Sequence, residues 1–109
     1  MKKLEREDLV PLQRALTTLL DFVKNVNRGE LPYFYKFVKT MKNNVQICIC
    51  VEYEGWEQLE TILKRDWSAA NHVFIGIPDY TIREENVEVK HNLDIRFLEL
   101  ISNINYYLK

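Results

Sequence analysis

Leu9, Leu12, Leu16, Leu19, Leu20, Val23 and Val26 recur at spacings of three and four, with Arg14, Thr17, Asp21 and Lys24 filling the other side. That period predicts an amphipathic helix from about Leu9 to Asn27. Asp8 stands as its N-cap, Pro11 falls in the first turn, where a missing N–H costs nothing, and Gly29 supplies the stop. Further along, the period shortens to two. Val45, Ile47, Ile49 and Val51 alternate with Gln46, Cys48, Cys50 and Glu52, which predicts a half-buried strand over Val45–Tyr53. Tyr33–Thr40 is rich in Tyr, Phe and Val and predicts its partner strand, with Lys42-Asn43-Asn44 as the hairpin turn. A second helix with Pro32 at its start is the competing reading of Tyr33–Lys42.

After Gly55, the stripe Trp56, Leu59, Ile62 and Leu63 predicts a short helix, with Glu57 and Glu60 early and Lys64 and Arg65 late, as the helix dipole favours. Ser68–Asn71 reads as a connection. Val73–Ile77 reads as a short buried strand ending at Pro78, Arg83–Asn86 as a polar turn, and Val87–Lys90 as a second short strand. Asn92 is placed to cap a last helix whose apolar face is Phe97, Leu98, Ile101, Ile104, Tyr107 and Leu108. The expected order is helix, hairpin, helix, hairpin, helix. It predicts an α+β fold in one domain spanning residues 1–109, with an antiparallel sheet of about four strands and helices mainly on one face.

Composition narrows function more than it narrows fold. The 109 residues are 47% hydrophobic and 28% charged, with a formal net charge of −1, which excludes a strongly basic nucleic-acid coat and a highly acidic mimic of DNA. Three glycines leave little room for a glycine-rich phosphate loop. Acidic Glu5, Glu7 and Asp8 follow Lys2 and Lys3 at once, unlike a secretory signal, and the longest nearly uncharged apolar run, Val45–Val51, is far short of the ~20 residues of a membrane span. No membrane association is expected. Cys48 and Cys50, two apart, are poorly placed to pair, so a reduced, cytoplasmic protein is expected. Abundant Asn, Lys and Ile suit a bacterial or phage source. Residues 1–50 carry nine basic and five acidic side chains and residues 51–109 six and eleven, so the halves have opposite sign.

The residues that could carry chemistry are few. Pro78-Asp79 followed by Glu88-Val89-Lys90 resembles the signature of the PD-(D/E)xK nucleases. The resemblance implies Mg²⁺ held by Asp79 and Glu88, with Lys90 orienting or activating the attacking water. On a strand, Glu88 and Lys90 would share one face. Cys48, Cys50, His72 and His91 match the count of a zinc site, but the C-x-C lies in a β-branched run without a glycine turn, so no metal and no cofactor is expected. Lys36, Lys39 and Lys42 interleave with Tyr33, Tyr35 and Phe37, an arrangement that on a sheet could stack bases.

Thirteen aromatic residues exceed what so small a core needs at its centre. Tyr33, Tyr35, Tyr53, Trp56 and Trp67 are therefore taken as candidate binding residues, because surface Tyr and Trp form interface hot spots. The expected function is stoichiometric, non-catalytic binding of another protein, in the manner of immunity proteins, antitoxins and phage-encoded inhibitors of host defence. The alternatives are a small Mg²⁺-dependent nuclease using Asp79, Glu88 and Lys90, and a nucleic-acid-binding sheet. A homodimer through the Val45–Tyr53 sheet face or an edge strand is also expected, because that face carries Cys48 and Cys50 rather than charges.

Overall fold

The structure, a computed structural model, describes residues 4–28 and 30–108. Met1–Lys3 and Gly29, read above as the opening segment and a helix stop, lie outside the described residues, as does Lys109. Among the described residues there are four α-helices, two 3₁₀ turns and no strand. The helices are α1 (Leu9–Val26), α2 (Tyr35–Cys50), α3 (Trp56–Ala70) and α4 (Val87–Leu108). The expected α+β class is thus overturned: the protein is an all-α domain, and both hairpins are absent. α1 packs against α2 and α4, α2 against α3, and the α3–α4 seam is the thinnest. The molecule is elongated, 46 × 24 × 23 Å.

α1 forms where its period places it, with Leu9, Leu12, Leu16, Leu19, Leu20 and Val23 buried. Asp8 does not cap it by side chain. A 3₁₀ turn, Arg6–Asp8, leads into the helix, and the Asp8 carboxylate turns back to accept the Glu5 N–H at 2.8 Å.

The first hairpin is replaced by α2 because a second pattern runs through the same residues. Val38, Met41, Val45 and Cys48, spaced three, four and three, are all buried on one helical face. Asn43 and Asn44, expected in a turn, sit on the outer side of the helix, where each costs only ~0.7 kcal/mol relative to alanine. The apparent strand Val45–Tyr53 is the last part of α2 and its exit. The Tyr53 N–H reaches back to Cys48 O at 2.8 Å, and Glu52 and Tyr53 take left-handed φ of 56° and 67°. The sheet face proposed for a dimer does not exist: Val45 and Cys48 are in the core, and Ile47 and Cys50 point outward.

The second hairpin is likewise lost. The expected strand Val73–Ile77 is instead an exposed turn over Val73–Ile75 that leads through buried Gly76 into the 3₁₀ turn Ile77–Asp79, and Val87–Lys90 is the first turn of α4. The cap of α4 is Asn86, not Asn92: its Oδ1 accepts the Val89 N–H at 3.0 Å. α3 is longer than expected, since Ser68-Ala69-Ala70 continues the helix and buries Ala70.

At one end of the bundle four rings from four chain segments meet. Phe34, before α2, lies 5.2 Å from Tyr80 and 6.2 Å from Phe97, and Phe97 also lies 5.2 Å from Tyr80 and 6.2 Å from Phe22. The Tyr80 hydroxyl donates to Asn27 Oδ1 at 2.6 Å, tying the α3–α4 connection to the end of α1. Across the thin seam, the Trp67 indole N–H donates to Asn105 Oδ1 at 2.7 Å.

Two outcomes follow from this cluster. Phe34→Ala should cost about 3–5 kcal/mol, seen as a lower urea midpoint with an unchanged slope. Burial raises the Tyr80 phenol above its ordinary value, and the Asp94 carboxylate adds to that shift. The folded state therefore favours the neutral phenol. Its contribution is complete below about pH 10, where the unfolded phenol begins to ionise, and is lost as pH climbs through the raised folded value. Tyr80→Phe should flatten the alkaline fall in stability measured by denaturant titrations above about pH 10.

Candidate functional site

The aromatic cluster holds the α1–α2 and α3–α4 connections side by side at one end of the bundle. Between them lies an open cleft of about 1,100 Å³. Phe34 and Tyr80 line it at the cluster, and Leu31, Pro32 and Ile75 contribute apolar walls. Arg28 and Arg83 stand among Glu30, Asp79, Glu84 and Glu85, so the cleft offers charges of both signs.

Beside the cleft, the chain leaves α3 through a tight turn. The Gly76 N–H donates to His72 O at 2.7 Å and the Phe74 N–H to His72 Nδ1 at 3.3 Å. The imidazole of His72 also meets the Phe74 ring, with centroids 5.8 Å apart. Gly76 is buried, and a Cβ there would fall 2.6 Å from His72 N and 2.7 Å from His72 O. Only glycine permits this approach of backbone to backbone. The turn presents Val73, Phe74 and Ile75 to solvent, with Phe74 77% exposed. Leu31 and Tyr33 on the neighbouring connection are exposed as well. Exposed apolar side chains in a row are uncommon on a monomer surface and mark contact sites.

Of the residues singled out from the sequence, Asp79 lines this cleft and Tyr33 lies on the neighbouring connection, while the others fall elsewhere and apart from one another. Tyr33 is exposed at 43%, its ring edge-on to Phe37 at 5.4 Å and covered by Lys36 Nζ at 4.5 Å. Tyr35 is half-buried one residue after Phe34. Tyr53 and Trp56 are half-buried at the opposite end of α2, where the Arg6 guanidinium lies 4.6 Å over the Tyr53 ring. α2 spans 16 residues, roughly 24 Å, so these pairs do not share a patch. Trp67 is 4% exposed and belongs to the core. The proposed base-stacking strand is a helix, in which Lys36 is occupied with the Tyr33 ring.

Asp79 is in the 3₁₀ turn Ile77–Asp79, whereas Glu88 and Lys90 are in the first turns of α4. Two residues apart on a helix they point about 200° apart, not to the common face a strand would give. Lys90 instead binds Asp94 at 2.8 Å. Cys48 is buried, its thiol raised by that burial, whereas Cys50 is exposed on another side of α2. Among the described residues, no three His, Cys, Asp or Glu side chains gather closely enough to hold a metal ion. No helix among them is long and apolar enough to cross a membrane.

The turn was missed because Val73-Phe74-Ile75 looks like a strand core. The signal that could have revealed it is the pair Gly76 and Pro78, two turn formers within three residues. Gly76→Ala should loosen this turn at a cost of about 1–3 kcal/mol. Amide exchange of Phe74 and Gly76 should quicken, while that of α1 and α2 stays as it was.

Comparison of the chain with protein-family models, with curated proteins and with solved structures gives no match.

Proposed function

We propose that this protein acts without catalysis, by binding another protein one to one through the loop end of the bundle and covering that partner's working surface. The observation that carries this reading is Phe74, a large ring 77% exposed on a turn whose backbone is fixed by Gly76. A flexible loop would have to be ordered on binding, at about 0.5–1.5 kcal/mol for each immobilised side chain. A fixed turn avoids much of that cost. Val73 and Ile75 flank Phe74 on the turn, Leu31 lines the cleft together with Ile75, and the mixed charges of the cleft supply a polar rim that selects a partner. The partner is thus a protein with an apolar pocket for the Phe74 ring, edged by charges of both signs.

Binding proteins of this kind concentrate their affinity in a few anchors. Phe74→Asp should leave the thermal transition nearly unchanged, because the ring is outside the core, and should weaken capture of the partner at least about thirtyfold. The check is a paired affinity capture from the native host with wild type and Phe74→Asp, followed by calorimetry with the captured protein. A partner held at a ratio of one and lost with Phe74→Asp supports the proposal. Equal capture by both proteins, or no partner at all, overturns it.

A further inference from the structure

Away from the loop end, the first half of α1 and the second half of α4 enclose a smaller groove of about 330 Å³. Ala15, Leu100 and the Tyr107 ring give it apolar walls. Tyr106 meets Tyr107 edge-on, with centroids 5.0 Å apart, and steadies that ring. Two charged residues line the groove, Arg14 from α1 and Arg96 from α4. Among the described residues, no acid lines it.

The sequence of α1 leaves Arg14 without a counter-charge. The residues three and four positions away are Val10, Pro11, Thr17 and Thr18, so no acid shares its face of the helix. Among the described residues Arg14 forms no ion pair. Arg96 commits only Nη1, to Glu99 at 3.3 Å, and the rest of its five-donor fork stays available. Thr18 spends its hydroxyl proton on Arg14 O at 2.8 Å and offers the groove no donor. The Asn103 amide, which also lines the groove, is exposed and makes no hydrogen bond among the described residues. The free donors at the groove are therefore two guanidiniums and one amide.

A groove lined by one sign of charge between apolar walls focuses the field and draws in the opposite charge. Two guanidiniums match a dianion. A phosphate monoester carries nearly two negative charges at neutral pH, and its oxygens fit the planar arginine fork. The volume, about 330 Å³, is at the small end for ligand pockets and suits a single ring system with its phosphate. Leu100 and Tyr107 supply the apolar and aromatic surface against which such a ring can lie. We infer that this groove binds a small phosphate monoester on an aromatic body, up to the size of a nucleoside monophosphate, with Arg14 and Arg96 on the phosphate. The site shares no residue with the Val73–Ile75 turn or the cleft beside it, so the two can succeed or fail independently.

Titration of the full chain with AMP, UMP and phenyl phosphate, beside adenosine and inorganic phosphate, tests this by calorimetry and amide chemical shifts. At least one of the three monoesters should bind one to one with Kd on the order of 100 μM, at least about tenfold tighter than adenosine or inorganic phosphate. Arg14→Gln and Arg96→Gln should each weaken that binding at least about tenfold, with helical circular dichroism unchanged. Lys24→Gln removes an exposed charge of α1 outside the groove and should leave binding as it was. The inference is overturned if none of the three monoesters saturates by about 5 mM, or if inorganic phosphate or adenosine binds as tightly as they do. Unchanged binding by Arg14→Gln, or equal losses with Lys24→Gln and Arg14→Gln, overturns it as well.

Discussion

The meeting of Phe22, Phe34, Tyr80 and Phe97 is the constraint on which the rest of this molecule depends. Within the chain these residues come from α1, the α1–α2 connection, the α3–α4 connection and α4. Helix–helix packing alone would leave the residues between α3 and α4 with few buried groups to hold them. Burying Tyr80 against two phenylalanines, with its hydroxyl on Asn27, fixes the middle of that connection to the bundle. Edge-on and tilted rings are each worth about 0.5–1.5 kcal/mol beyond the area they bury. Ile77 and Ile82, buried on either side of Tyr80, extend the same anchorage along the connection.

A firmly anchored connection changes the meaning of its exposed residues. Apolar side chains on a mobile loop can fold back and cover one another. Here the His72–Gly76 turn is closed by its own hydrogen bonds, and Gly76 is packed where no side chain fits. Val73 and Phe74 therefore remain outside because the backbone holds them there. The structure accepts the unfavourable hydration of these side chains, roughly 25 cal/mol for each Å² of apolar area left in water.

How far this could be read from the sequence depended on whether one period or two fitted the same residues. In α1 the spacing of leucines suits a helix and nothing else, and its bounds match the structure to a residue. Val45–Val51 satisfies a period of two and also, with Val38 and Met41, a period near 3.5. Four alternating apolar residues cannot all reach one helical face, so choosing the helix leaves Ile47 and Val51 in solvent. Local propensity favoured the strand, and packing of Val38, Met41, Val45 and Cys48 among α1 and α3 decided for the helix. Val87 and Val89 misled in the same way, since β-branched residues in a first helical turn cost little once Asn86 caps it. The candidate site was less legible still. Counting aromatics located surplus rings but not their faces: Trp67 lies in the core with its N–H satisfied by Asn105, whereas Phe74 is outside.

The helix that anchors the cluster also turns apolar side chains outward, and this follows from helical geometry. Phe97 points into the bundle and Leu98, one residue on, is turned by about 100° and points out. A residue that fixes the orientation of α4 through its ring therefore also fixes Ile95 and Leu98 on the solvent side. The Val73–Ile75 turn is tied to the same ring through Tyr80. Loosening Phe97 would therefore disturb both the turn and the outward side of α4 together. Such an arrangement lets one buried cluster set the position of apolar side chains that are exposed on two elements.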